Sequence, residues 1–216
     1  MKVLCLIPSP MEVNLLEDLL SCAPGTLACC GVGPVDAALG ALEHLRKDPP
    51  QACLLADIGG TRDEARLPVG SLLWGTAVRN EAVGAGGGED FIDLEGMALE
   101  GVEAPGEISL MALHDVGLSE EVAPLQGVIG TVAAASASYE EAETRQRLRP
   151  EVLVEEMEGW AVARACQRAG VPLGILRAVS NVAGDRRHET WAVKEALATL
   201  ASVLAPLFSP SGEVEA

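Results

Sequence analysis

Apolar residues gather in seven short runs along the chain, at 2–7, 26–31, 52–58, 71–78, 127–134, 152–157 and 173–180. Runs of this length, rich in leucine or β-branched residues and bounded by glycine, proline or polar residues, predict buried strands. Between them the period changes. Val35, Leu39, Leu42 and Leu45 repeat at helical spacing after a Gly-Pro start that suits a first helical turn. Val193, Leu197, Leu200 and Leu204 do the same, with a stop expected near Pro206. A third helix is expected over 157–169, ended by Gly170 with Pro172 two residues on. Leu15, Leu16, Leu19 and Leu20 predict a short helix directly after the first strand.

Strands alternating with helices predict an α/β sheet covered on both faces. The stretch 80–126 breaks this pattern. GAGGGEDF (84–91) and the acidic, Pro- and Gly-containing segment to 106 read as loops or lids. With 216 residues, 49% of them hydrophobic, the chain can bury one substantial core. We expect one domain over 1–208 and a frayed tail, SPSGEVEA, over 209–216.

Charge narrows the partners. A formal net charge of −17 opposes binding to nucleic acid or an anionic membrane, since either polyanion would be repelled. Cys5, Cys29, Cys30 and Cys53 fall in the apolar strand-like runs and no CxxC pair occurs, so reduced core thiols are expected, with no metal site and no cofactor. MKVLCLIPSP is too short an apolar run for a signal sequence, and no stretch approaches a membrane span. A soluble, cytoplasmic protein is the expectation.

In open α/β sheets ligands gather at the carboxyl ends of strands. Those ends carry Glu12, Gly31-Val32-Gly33, Asp57-Ile58-Gly59-Gly60, Glu156-Met157-Glu158 and Ser180-Asn181. A few carboxylates, glycine turns and an amide suit a neutral polyhydroxylated ligand better than a phosphate. Each has a plainer reading alone. Glu12 and Glu158 stand at expected helix starts, where a carboxylate gains about 0.3–1 kcal/mol from the dipole. Asn181 suits a turn. GVGPVD (31–36) has Asp36 where a dinucleotide fingerprint needs its third glycine, and GAGGGED lacks the Lys-Ser/Thr of a phosphate loop. No GxSxG occurs, and His44, His114 and His188 lie apart. The joint placement of Glu12, Glu158 and Asn181 at strand ends is what makes a site.

PMEVNLL (10–16), GVGPVDAALGAL (31–42), DIGGT (57–61), VEEMEGWAVARAC (154–166) and GVPLGILRAVSNVAGDR (170–186) resemble, in that order, the nucleoside phosphorylase/nucleosidase superfamily. The similarity is greatest to its hydrolase branch, which includes methylthioadenosine/S-adenosylhomocysteine nucleosidases and futalosine hydrolases. It implies a three-layer α/β/α sandwich around a mixed, partly barrel-like sheet, and a homodimer or larger homo-oligomer. It implies Glu12 as the general base activating water, Glu158 as acceptor from the ribose hydroxyls with Met157 against the sugar, and Ile58 and Gly59 beside it. Asn181 falls on the purine-contacting position, and Ala135 on the position where methylthioadenosine-cleaving relatives stack an aromatic residue.

Adenosine-cleaving relatives carry aspartate where this chain has Asn181. An amide donates through nitrogen and accepts through its carbonyl, which suits a 6-oxopurine such as hypoxanthine. Opposing donors at the six-position would leave a buried group unpaired, at about 1–3 kcal/mol. The resemblance therefore points to a futalosine-type hydrolase of menaquinone biosynthesis, releasing hypoxanthine and dehypoxanthine futalosine. For the carboxylate on the tail of that substrate, Arg62, Arg79 and Arg177 are candidates. Three rivals remain: a methylthioadenosine/S-adenosylhomocysteine nucleosidase, a phosphate-dependent purine nucleoside phosphorylase, and a non-catalytic nucleoside-binding module.

Overall fold

The computed structural model describes residues 1–23, 25–101, 105–118 and 124–208; the tail expected to fray lies outside them. In chain order the elements are β1 (Val3–Ile7), α1 (Pro10–Leu20), β2 (Ala28–Cys29), α2 (Gly33–Lys47), β3 (Ala52–Thr61) and β4 (Leu72–Asn80). There follow β5 (Gly84–Ala85), β6 (Ile92–Asp93), β7 (Glu107–Ser109), β8 (Leu125–Thr131), α3 (Tyr139–Leu148), β9 (Val152–Glu156), α4 (Gly159–Ala169), β10 (Leu173–Val182) and α5 (Val193–Phe208). Each of the seven apolar runs contains a strand.

Eight strands form one mixed sheet, in the order β10-β4-β8-β9-β3-β1-β2 with β7 on β4. β10 also pairs with β3, so β10, β4, β8, β9 and β3 close into a ring, with β1 and β2 continuing outward from β3. The β3 and β10 strands run parallel, Asp57 opposite Arg177 and Gly60 opposite Asn181. That register aligns the ends of two strands that carry candidate residues.

Alternation along the central strands feeds two apolar clusters, because successive side chains leave opposite faces. Cys53 and Leu55 of β3 join Ala37, Ala41 and Leu45 of α2 and Val162 and Cys166 of α4. Ala52, Leu54 and Ala56 join Leu16 of α1 and Leu197, Leu200 and Leu204 of α5. The six cysteines are free thiols; Cys5, Cys30, Cys53 and Cys166 are buried. Among the described residues no helix is long and apolar enough to cross a membrane.

Two expectations need correction. Helix α2 buries Ala37, Ala41 and Leu45, whereas Val35 and Leu39 face outward. Small residues win that face because the helix approaches closely: a Cβ on Gly40 would lie 2.1 Å from the Cys30 carbonyl oxygen. Gly59 and Gly60, expected to turn, continue β3 to Thr61, and a Cβ on Gly59 would meet Val154 at 2.5 Å. Helix α5 ends at Phe208, close to the stop expected near Pro206. Helix α3 has no apolar stripe, only Ala142 being buried, so periodicity passes over it. Ser138 caps it by accepting from the Glu141 amide, and Arg145 bonds Glu141 at 2.7 Å one turn away. Within 80–126 the described residues hold the short β5–β6 pair, β7 and two 3₁₀ turns between irregular segments.

Candidate active site

Helix α1 begins in a way its sequence dictates. Ser9 caps it, Pro10 fits the first turn, and Glu12 follows three residues after the cap. The Ser9 hydroxyl accepts from the Glu12 amide at 3.3 Å and donates to its carboxylate at 2.5 Å. This arrangement leaves Glu12 6% exposed at the end of β1.

Glu158 is the residue before α4, yet its carboxylate does not cap that helix. It reaches across to the start of α2, accepting from the Gly33 amide at 2.7 Å, and also accepts from Met157 at 3.3 Å. Capping α4 falls instead to Glu156, which takes the Glu158 and Gly159 amides at 3.1 and 2.7 Å. Glu156 also accepts from the buried Arg177 at 2.5 Å and from Thr131. Burial, reinforced by Glu156 and opposed by Arg177, pushes Glu158 up to about 7.

Asn181 is the last residue but one of β10, beside a bulge in its pairing with β3. Its side-chain nitrogen donates to the Val182 carbonyl at 3.0 Å and its oxygen accepts from Ser180 at 2.8 Å. Val182 offers only an acceptor, so the amide orientation is fixed. One N–H and one lone pair remain for a ligand. The turn-like backbone role and a recognition role therefore coexist.

These side chains share one cavity of about 280 Å³. Glu12, Ile58, Gly59, Ala135, Met157, Glu158 and Asn181 all line it. Ala135 is held there by Glu155, which accepts from the Ser136 amide and hydroxyl at 2.8 Å each. Sequence reasoning placed Asp57 at a strand end without giving it a role and gave none to Arg186 or Trp191, and all three line the same cavity. A carboxylate near the end of a buried strand was the available signal for Asp57. Burial and the facing Glu12, against the opposing Arg177, hold Asp57 well above the usual carboxylate range. At the rim Trp191 stacks on His188 with ring centroids 4.4 Å apart, and the Arg186 guanidinium lies 5.8 Å from the Trp191 ring.

The three arginines considered for an anionic tail are engaged elsewhere. Arg177 is bonded to Glu156, and Arg62 to Glu81 at 2.5 Å and Glu155 at 3.3 Å. Arg79 faces Asp93, Glu107 and Glu151 within 4 Å. None lines the cavity; Arg186 is the basic side chain that does. Among the described residues no group of three or more His, Cys, Asp or Glu is placed to hold a metal ion.

The family model of the phosphorylase superfamily matches residues 21–208. The futalosine hydrolase of Streptomyces coelicolor is 32% identical over 186 residues, covering 84% of this chain and 77% of its own length. The 5'-methylthioadenosine/S-adenosylhomocysteine nucleosidase of Halalkalibacterium halodurans is 30% identical over 222 residues, covering 89% and 93%. Among solved structures, the native futalosine hydrolase of Helicobacter pylori superposes with a TM-score of 0.75 at 20% identity, covering 94% of this chain and 95% of that one. The last is a likeness of fold.

Proposed function

Because the chain belongs to the phosphorylase superfamily, we propose that it hydrolyses the N-glycosidic bond of futalosine, releasing hypoxanthine and dehypoxanthine futalosine. The observation that carries this reading is the convergence of Glu12, Glu158 and the oriented amide of Asn181 on one cavity. Breaking an N-glycosidic bond builds oxocarbenium charge on the sugar, which buried carboxylates stabilise. Glu12, anchored by Ser9, deprotonates the attacking water. Glu158 accepts from the ribose hydroxyls, with Met157, Ile58 and Gly59 packed about the sugar. Asn181 donates its remaining N–H to the O6 carbonyl of a 6-oxopurine and its side-chain oxygen accepts from N7 as that atom gains a proton, while Ala135 packs on the ring. Hydrolysis is favoured over phosphorolysis because the loop entering α1, PSPMEVN, has no arginine and presents Glu12 to the cavity. No cofactor takes part in this scheme.

Arg186 and Trp191 are, in this reading, the cation and ring that meet the carboxyaryl tail. We also infer a single domain over 1–208 with helices layered on both faces of the sheet, a homo-oligomeric state and a cytoplasmic location; light scattering tests the assembly.

The deciding experiment offers futalosine, inosine and methylthioadenosine to the enzyme, each with and without phosphate, and identifies the released base and sugar. The expected result is hypoxanthine release from futalosine, independent of phosphate. Dominant adenine release favours the methylthioadenosine reading, and a sugar 1-phosphate product makes the chain a phosphorylase. Absence of any turnover, with binding retained, leaves a nucleoside-binding module. Arg186→Ala should raise KM for futalosine by roughly tenfold, the scale of one charged hydrogen bond, and leave inosine cleavage unchanged.

A further inference from the structure

Asp57 sits where no ordinary structural role accounts for it. It is 6% exposed, lines the cavity floor, and lies opposite Arg177 on the neighbouring strand. Arg177 is the obvious counter-ion, yet its Nη2 is committed to Glu156 at 2.5 Å. Its Nε and Nη1 have no hydrogen-bond partner among the described residues, and neither does Asp57 Oδ1. The pair are neighbours without being bonded. Asp57 and Glu12 are both buried and line the same cavity, and the Glu12 carboxylate lies within its hydrogen-bonding reach.

Two ionised carboxylates offer each other no donor and repel, so a contact between them requires a proton. We propose that Asp57 is a positioning residue that keeps this proton and donates it as a hydrogen bond to the Glu12 carboxylate. Glu12 then has two donors, Ser9 from its own helix and Asp57 from β3, which fix its rotamer. Asp57 touches neither water nor sugar in this scheme; it acts through the base. The inference rests on the role proposed for Glu12.

The surroundings set the direction of the pH effect. Asp57 faces Glu12 from α1, Arg177 from β10, Glu158 at the start of α4 and Cys30 after β2, with Glu156 behind Arg177. Cys30 is pushed up to about 12, chiefly by burial, and stays a neutral thiol. Burial and Glu12 raise Asp57, so its proton leaves only on the alkaline side. Once it leaves, a hydrogen bond becomes a repulsion and turnover falls.

The test compares Asp57→Asn and Asp57→Ala with the parent, using whichever nucleoside the parent cleaves fastest. Asparagine keeps a donor toward Glu12 and cannot ionise. Asp57→Asn should keep kcat within about threefold and lose the alkaline limb of the kcat profile, since that limb reports the titrating group. Asp57→Ala should lower kcat by roughly 10- to 100-fold with little change in KM, a part of what a positioned base supplies. Parent-minus-Asp57→Asn infrared difference spectra at neutral pH give a readout without turnover: a protonated buried carboxyl band present in the parent and removed by the substitution, the Glu158 carboxyl common to both cancelling. That band separates failure here from failure of the base assignment. Its absence from the parent, or an alkaline limb unchanged in Asp57→Asn, overturns the proposal.

Discussion

At the residue scale, the recognition proposed for the cavity turns on an amide whose two ends are already oriented. Ser180 and Val182 hold Asn181 so that exchange of nitrogen for oxygen is felt by whatever base occupies the cavity. Asn181→Asp should therefore shift base preference toward 6-aminopurines by roughly 10- to 100-fold, the worth of one unpaired buried group. Rates of hypoxanthine and adenine release from paired nucleosides check it. The same scale holds the base. Glu12→Gln keeps the shape and the Ser9 contact and removes the proton acceptor, so kcat should drop about 10²–10⁴-fold while ligand affinity measured calorimetrically stays within a few-fold. The meeting of both residues in one cavity was legible in the sequence because each stands at a strand end within a family motif. Asp57 stands in such a motif too, but its contact with Glu12 comes from two strands and a helix meeting, which no linear spacing displays.

At the element scale, the periodic helices and seven buried strands were legible because burial on one stripe or two faces leaves an apolar period. Helix α3 was not, since its stability comes from a Ser138 cap and the Arg145–Glu141 pair instead of an apolar face. The inward face of α2 was misread for the opposite reason: leucines mark the period, while alanines and a glycine permit the closest approach. Gly40 tests that packing. A methyl there would drive into the Cys30 carbonyl and push α2 from the sheet. Gly33, at the start of the same helix, holds the Glu158 carboxylate. Gly40→Ala should therefore destabilise by about 1–3 kcal/mol, as overpacking does, and raise KM for the nucleoside at the same time. Thermal melts and initial rates on one preparation test the coupling; a lowered melting point with an unchanged KM would separate the helix from the site.

At the scale of the whole molecule, one buried site gathers several of the chain's carboxylates. Glu12, Asp57, Glu156 and Glu158 line the cavity, with Arg177 bonded to Glu156 behind it, in a protein of net charge −17. Glu158 titrates from 4.5 in the unfolded chain to about 7 in the folded one, chiefly through burial. The folded state thus binds the proton more tightly, and its contribution is full below about 4.5 and lost as pH rises through about 7. Asp93 works the other way. Despite partial burial, the Gly96 amide and Arg149 hold it below 3.8, so its contribution is lost as pH falls. Stability should peak mildly acidic, then decline toward neutral pH, and Glu158→Gln should flatten that decline in a series of melts. Binding runs against stability in the same window. In the proposed scheme ribose hydroxyls donate to Glu158, which favours its ionised form and expels its proton. Titrating Glu12→Gln enzyme with nucleoside in buffers of different ionisation enthalpy should show proton release at slightly acidic pH, abolished when Glu158→Gln is added. A binding heat independent of buffer would remove Glu158 from contact with the sugar.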